Sequence, residues 1–163
     1  MNFKSRSCGS CTACCEGWLV IKTNTIETYP GVPCKHVISD QGCGIYNDRT
    51  EQICSAFICS WIKDDEAFPK WMQPNLSNAI VMHRRIDWKG EKLDLVVPVG
   101  PKIPQKTLLW LNNFSQTNKR PYIYAELMVS NGKLTGNKQI KIFAPQPMRG
   151  EILAWLEAGN KFW

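Results

Sequence analysis

The chain of 163 residues is 44% hydrophobic and 21% charged, which is the length and composition of one globular domain. No apolar run approaches the ~20 residues that cross a bilayer, and the start of the chain has no apolar stretch of the kind found in secretory signals, so we expect a cytoplasmic protein with no membrane partner. The charge is uneven, because residues 1–80 carry seven Lys and Arg against eight Asp and Glu, whereas residues 81–163 carry thirteen against six.

The first part of the chain, residues 1–65, contains all eight cysteines, between Cys8 and Cys59. Glycine and proline interrupt it repeatedly, so it has no long periodic element with which to bury apolar area. A metal would therefore have to substitute for part of its core. Disulfide bonds are the alternative use of the cysteines, but they are typical of short secreted proteins, so the sequence favours metal-binding thiols.

Only short elements are predicted within residues 1–65. The apolar run Trp18–Ile21 predicts a strand, and residues 24–29 predict one or two helical turns. Apolar residues at helical spacing predict a helix over Asp48–Ile62. This helix would carry Cys54 and Cys59 on it or beside it.

The second part of the chain, residues 66–163, is predicted to be more regular. Residues 66–80 predict a connector that packs aromatic side chains, and β-branched residues on both sides of Lys89-Gly90 predict a hairpin. Turn sequences at Ser130–Gly132 and Gly136-Asn137 separate the last two strands. The predicted elements are strands over 79–88 and 92–99, a helix over 106–114, strands over 121–129 and 139–143, and a helix over 148–156.

The resulting order, β-β-α-β-β-α, indicates an α+β fold with a small antiparallel sheet and two or three helices. We expect the cysteine-rich segment, residues 1–65, to bind metal and to pack on this sheet, so that it forms one compact domain with residues 66–163.

The most specific motif is Cys8-Gly-Ser-Cys11-Thr-Ala-Cys14-Cys15. Gaps of two residues let consecutive thiolates converge on one metal centre while backbone N–H groups turn towards the sulfurs. The small residues in the gaps leave room for this tight winding, and a bacterial ferredoxin sequence begins with the same spacing. The motif therefore predicts a metal site.

The other four cysteines are separated by eight, ten and four residues. Zinc ribbons and fingers have two short knuckles, and this second set has none, which favours an iron–sulfur cluster over structural zinc. Eight thiolates suffice for two four-coordinate sites, or for one cluster with the rest structural or redox-active, and the spacing leaves this partition open. The candidate metal ligands are Cys8, Cys11, Cys14, Cys15, Cys34, Cys43, Cys54 and Cys59.

These motifs resemble those of the YkgJ-type cysteine-cluster family. The matching residues are the run Cys8 to Cys15, Cys34-Lys-His36, Gly42-Cys43-Gly-Ile-Tyr46-Asn-Asp-Arg49 and Cys54-Ser-Ala-Phe57-Ile-Cys59. The resemblance covers about the first 60 residues and implies chelation of zinc or iron. Thr50 departs from the family pattern, which has Pro there.

A flagellin lysine N-methylase is similar to the same family in its cysteine motif, which implies methyl transfer as an alternative activity. The sequence has neither a Gly-rich S-adenosylmethionine loop nor the radical Cys-x-x-x-Cys-x-x-Cys pattern.

Several other residues are candidates for a role. His36, two residues after Cys34, is a ninth possible ligand or a hydrogen-bond partner of a sulfur, and Arg49 is predicted to brace its loop or to neutralise thiolate charge. Cys15 is a candidate ligand, and it is the cysteine that would be spare if fewer than eight bind metal, because its neighbour is also a cysteine. His83 is predicted to be an ordinary sheet residue. Four tryptophans could stack on nucleobases, but we expect them to pack in the core. They are Trp61, Trp71, Trp88 and Trp110.

Three functions are consistent with the sequence. The first is a metal-binding protein, and the second is a metal-dependent redox or group-transfer enzyme acting on a protein or small molecule, which requires an open coordination position or a non-ligand thiol. The third is an interaction module that uses the basic residues 81–163 to bind nucleic acid or protein. No Ser/His/Asp set or phosphate-binding Gly loop is present, so the enzyme hypothesis depends on the metal alone.

Overall fold

The computed structural model describes residues 6–49, 52–131 and 133–160, and its mixture of helices and strands confirms the predicted α+β class. The strands are β1 (Ile21–Lys22), β2 (Glu27–Thr28), β3 (Val37–Ile38), β4 (Gly42–Cys43), β5 (Ala79–Trp88), β6 (Glu91–Pro98), β7 (Tyr122–Ser130) and β8 (Lys133–Phe143). The helices are α1 (Gln52–Ala56), α2 (Ser60–Lys63), α3 (Pro74–Ser77), α4 (Gln105–Asn118) and α5 (Met148–Glu157), with a π-helical turn at Cys14–Trp18 and a 3-10 turn at Lys70–Met72.

The main sheet has four strands in the order β5-β6-β7-β8. Its two hairpins, β5-β6 and β7-β8, are antiparallel as predicted. The two hairpins join through β6 and β7, which run parallel, so the sheet is mixed. The reason is helix α4, which carries the chain back across the sheet between β6 and β7, as a parallel connection requires.

The turn of the first hairpin was predicted correctly. Lys89 and Gly90 both have positive φ, at 49° and 83°, and a two-residue turn of this kind matches the right-handed twist of the strands that it joins. The hairpin is irregular between Met82 and Ile86, where Arg84 also has a positive φ. This bulge adds two residues to β5 relative to β6, so Met82 and Ile86 lie on the same face of the sheet.

Both faces of the main sheet are covered by other parts of the chain. On one face, Val81, Val96 and Tyr124 pack with Leu111 of α4 and with aromatic residues of the connector. The other face is shared, because α5 covers one end through Ile152. The cysteine-rich segment covers the remaining end of that face, on strands β5 and β6.

The predictions for the beginning of the chain were largely wrong. Trp18 ends the π-helical turn and the strand begins only at Ile21. Residues 24–29 are not helical, because β2 pairs there with β1. The hydroxyl of Thr23 accepts hydrogen bonds from the backbone N–H groups of Thr25 and Ile26, and this local turn has the same residue pattern as a helix start.

The predicted helix over Asp48–Ile62 is two short helices, α1 and α2. Between them Cys59 is extended, with ψ at 159°, and this break directs the chain into the second helix. Thr50, the residue that departs from the family pattern, and Glu51 lie outside the described residues.

The second half of the chain follows the predicted order. Helix α4 is longer than predicted, and β8 begins at Lys133, so Gly136 and Asn137 lie within a strand and not in a turn. The register of the pairing between β7 and β8 shifts beside these residues, between Leu127 and Val129. Gly132, in the other predicted turn, lies outside the described residues. Within the described ranges, none of the helices has the length and apolar character needed to span a membrane.

The tryptophans pack in the core, as expected. Trp88 is buried with the residues under α5, and Trp61, Trp71 and Trp110 pack against the core beneath α4.

A charged cluster links Asp64, at the end of the cysteine-rich segment, to the sheet. Arg120 donates to the carboxylates of Asp94, at 2.8 Å, and of Asp64, at 2.9 Å. Its Nη2 also lies 2.8 Å from Nδ1 of His83, so His83 is a sheet residue with a polar partner, as predicted. Asp94 is 4% exposed, and its second oxygen accepts the backbone N–H of Arg84.

Candidate metal centre

The Cys8–Cys15 motif winds as tightly as its small residues predict. The backbone N–H of Cys11 donates to the carbonyl oxygen of Cys8 at 2.9 Å, which closes the first turn. Ala13 is completely buried. Cys14 then begins the π-helical turn, so Cys14 and Cys15 lie next to each other within one helical turn. Neighbouring residues in a helical turn do not face each other.

The hairpin β3-β4 brings the middle cysteines to this motif. The N–H of Cys34 donates to the carbonyl oxygen of Cys15 at 2.7 Å, and Cys43 pairs with Val37 across the hairpin. Gly42 has a φ of 103°, and a Cβ there would lie 2.2 Å from the carbonyl oxygen of Gly9. A residue without a side chain is therefore needed for the hairpin to lie against the first turn.

Arg49 organises the loop that follows Cys43, which is one of the two roles predicted for it. Its Nε donates to the carbonyl oxygen of Tyr46 at 2.7 Å, and its Nη1 donates to the carbonyl oxygen of Cys54 at 3.0 Å. The guanidinium also lies over the ring of Tyr46, 4.0 Å from its centroid. The loop is thus joined to helix α1, and a cation is held at the wall of the site.

The last cysteine, Cys59, lies immediately before helix α2. Its carbonyl oxygen accepts the N–H groups of Ile62 and Lys63. The side chain is 6% exposed and packs with Ala13, Ile62 and Ile80. Through this contact the end of the cysteine-rich segment rests on strand β5.

All eight cysteines line one cavity of about 90 Å³, which we call the thiol cavity. All eight are present as thiols. His36 and Arg49 also line the thiol cavity, and the remaining wall is mainly apolar. Cys15, the cysteine that would be spare if one were left over, therefore lines the same cavity as the other seven cysteines.

The donor set of the thiol cavity fits zinc or an iron–sulfur cluster, because both are held by cysteine thiolates. The distances between the donor side chains, however, are too long for them to bind one ion together where they lie. Among the described residues, no three Cys, His, Asp or Glu side chains stand close enough together to hold a metal ion where they lie.

The electrostatics of the thiol cavity favour a cation. Burial, together with the negative charge of neighbouring thiolates, raises the pKa of Cys14 well above its ordinary value. The same two causes raise the pKa of Cys15 to about 12, and burial, as the largest cause, raises the pKa of Cys59 to about 11. These thiols are neutral at pH 7, and a bound metal would compensate the charge of their thiolates and release their protons.

Three contributors to the site were missed by the sequence predictions. The hydroxyl of Tyr46 is hydrogen-bonded to the thiol of Cys8 and, with Arg49, opposes the rise of its pKa, which burial dominates. The backbone N–H of Asn75 is similarly bonded to Cys11. Gln73 donates to the carbonyl oxygen of Cys8 at 3.4 Å. Gln73 and Asn75 lie in the connector, which the sequence marked only as aromatic packing, whereas Tyr46 was visible as part of the Cys43 motif.

No protein-family model, no curated protein and no solved structure matches the chain. The similarity to the YkgJ-type family therefore stays a prediction from the cysteine motifs, and function has to be argued from the site itself.

Proposed function

We propose that the protein binds metal through its cysteine thiols, either as an iron–sulfur cluster or as zinc. The observation that carries the proposal is that all eight cysteines, which are spread over 52 positions of the sequence, line the single thiol cavity. Packing alone does not account for this, since the 104 residues after Cys59 contain no cysteine. The proposal implies a reducing compartment such as the cytoplasm, where thiols stay available to metal.

The size of the thiol cavity supports metal over an organic substrate. Small-molecule pockets measure about 300–1,000 Å³, whereas the thiol cavity measures about 90 Å³. An enzyme that used the metal would also need an open coordination position or a thiol apart from the ligands. All eight thiols face the same cavity, which favours binding over catalysis.

Metal binding requires the thiols to move inwards from where they lie, because no three ligating groups in the described part of the chain are within reach of one ion. The cysteine-rich segment is suited to such a movement. Its strands are two residues long, so its loops are held by separate turn hydrogen bonds and not by a long strand ladder.

The first experiment is to measure iron, zinc and acid-labile sulfide in protein purified without oxygen, together with its visible absorbance. Iron with a matching amount of sulfide and a broad brown absorbance identifies an iron–sulfur protein. Colourless protein with about two zinc ions and no sulfide identifies four-coordinate zinc. Protein that carries neither metal, and takes up neither under reducing conditions, would overturn the proposal.

A substitution in the first turn tests the role of the thiols directly. We expect Cys11→Ser to lose metal and to lower stability by several kcal/mol, because metal binding and folding are coupled in such segments. The matched control is Ser10→Ala, an exposed position in the same turn, which should keep both metal and stability. A stable Cys11→Ser protein with its full metal content would contradict the proposal.

A further inference from the structure

We infer that the thiol cavity holds two metal centres, each with four thiolates, and that the structure divides the cysteines between them. The sheet-side group is Cys8, Cys11, Cys14 and Cys59. The hairpin-side group is Cys15, Cys34, Cys43 and Cys54. This inference rests on the proposed function and assigns its ligands. Each group suits one tetrahedral zinc ion or one iron–sulfur cluster.

Packing on the sheet identifies the sheet-side group. All four of its cysteines belong to the cluster that packs on Ile80 and Met82 of strand β5, around the completely buried Ala13. None of the four cysteines of the hairpin-side group, all of which lie in the described part of the chain, belongs to that cluster. The division by packing therefore separates the eight cysteines into four and four.

Backbone contacts identify the hairpin-side group. The N–H of Cys34 donates to Cys15, and the carbonyl oxygen of Cys34 accepts the N–H of Val37, whose partner across the hairpin is Cys43.

The remaining link of that group leads to Cys54. The N–H of Tyr46 donates to the carbonyl oxygen of Cys43 at 3.2 Å, and Arg49 bridges the carbonyl oxygens of Tyr46 and Cys54. A continuous series of short contacts thus runs through all four cysteines of the hairpin-side group.

The Cys14-Cys15 pair is where the two groups separate. Both residues lie in the π-helical turn Cys14–Trp18, and successive residues of a helical turn point in different directions. Adjacent cysteines are poorly placed to bind one ion in this conformation, but each can bind a different ion within the thiol cavity. This gives a physical reason for the second cysteine of the pair.

Cys8 lies at the border of the two groups. Its packing on the sheet and the hydrogen bond from the backbone N–H of Cys11 to its carbonyl oxygen assign it to the sheet-side group.

Zinc content of single and double variants tests the division. The full chain is reloaded with zinc under reducing, oxygen-free conditions, and zinc per chain is measured. Wild type should hold about two zinc ions, and Cys59→Ser and Cys43→Ser should each hold half as much. The double variant Cys11→Ser/Cys59→Ser, within one group, should still hold half, whereas Cys59→Ser/Cys43→Ser, across the groups, should hold none.

The outcomes separate the two proposals. Wild-type protein that takes up no metal would overturn the proposed function and the division together. Normal loading of wild type with loss of all metal from a single variant would overturn the division alone, because it indicates one shared centre. A double variant within one group that loses all its zinc would do the same.

A second measurement avoids variants that fail to fold. Zinc-loaded wild type is treated stepwise with a chelator and an alkylating reagent, and the positions labelled in half-depleted chains are read by mass spectrometry. Labels confined to one group in each chain support the division, and labels that mix the two groups in one chain overturn it.

Discussion

The cysteine-rich segment and the main sheet are stabilised in different ways. The four strands of the main sheet are 8 to 11 residues long, and helices cover both of its faces. The strands within residues 6–49 have two residues each. Backbone pairing and apolar burial therefore suffice for the sheet, whereas the segment depends on its contact with the sheet and on what its thiols bind.

Removal of metal should give the largest difference in stability between the cysteine-rich segment and the main sheet. Structural zinc contributes ~10–16 kcal/mol in zinc-finger peptides, so we expect chelation to release the cysteine-rich segment while the main sheet stays folded. Hydrogen exchange read by mass spectrometry should show rapid exchange in residues 8–49 and retained protection in β6 and β7. Equal loss of protection in both regions would mean that the sheet also depends on the metal.

A cavity in the core of the sheet should have the next largest effect. Leu93 is completely buried beneath α5, and Leu93→Ala should lower the free energy of unfolding by about 2–5 kcal/mol. Leu109 is 63% exposed on α4, so Leu109→Ala is the control and should change stability by less than about 0.5 kcal/mol.

Urea unfolding of Leu93→Ala with and without metal then sharpens the comparison. Because the sheet is expected to be stable without metal, Leu93→Ala should lower the free energy of unfolding by a similar amount with and without metal. A loss confined to the metal-loaded protein would show that the two regions unfold as one unit.

Gly42→Ala should weaken metal binding by the cysteine-rich segment and leave the stability of the main sheet unchanged. The new Cβ would have to displace the carbonyl oxygen of Gly9, whereas a Cβ at Gly31 meets nothing within 4 Å although its φ is similar, at 97°. Gly31→Ala is thus a control for backbone strain alone. We expect Gly42→Ala to weaken zinc binding by about tenfold relative to Gly31→Ala, about 1.4 kcal/mol, in a competition with a chelator. Equal affinities would show that the hairpin need not lie against the first turn.

These two regions also differ in how far the sequence predicts them. In the second half, long alternating strands and the Lys89-Gly90 turn carry enough local information to predict element order and most boundaries. The parallel pairing of β6 and β7 is a tertiary property, and nothing in either strand reveals it. In the first half, two-residue strands have no periodicity, and the hydroxyl turn at Thr23 has the same residue types as a helix cap.

At the site, the sequence predicts the participants better than their arrangement. Eight cysteines with a short-gap motif predict a shared metal site, and the structure brings all eight to one cavity, while their role as ligands stays a prediction. Spacing does not reveal that Cys14 and Cys15 diverge, because that depends on the π-helical turn. Nor does it reveal Asn75, whose backbone contact with Cys11 depends on how the connector folds.

The smallest expected effect is a pH dependence of the sheet through His83. Burial, and then the charge of Arg120, lower the pKa of His83 from its ordinary value of 6.5, against the opposing effect of Asp94. His83 therefore binds a proton more readily in the unfolded chain than in the folded chain. The stability that neutral His83 contributes should be fully present above pH 6.5 and should be lost as the pH falls through the lower pKa of the folded state. His83→Asn, which keeps an acceptor near the position of Nδ1, should reduce the decrease between pH 7.5 and 5.5 in urea unfolding of chelated protein. An unchanged decrease would assign the pH dependence to other groups. A reduced decrease would show that the Arg120 cluster holds His83 neutral at the junction of the cysteine-rich segment and the sheet.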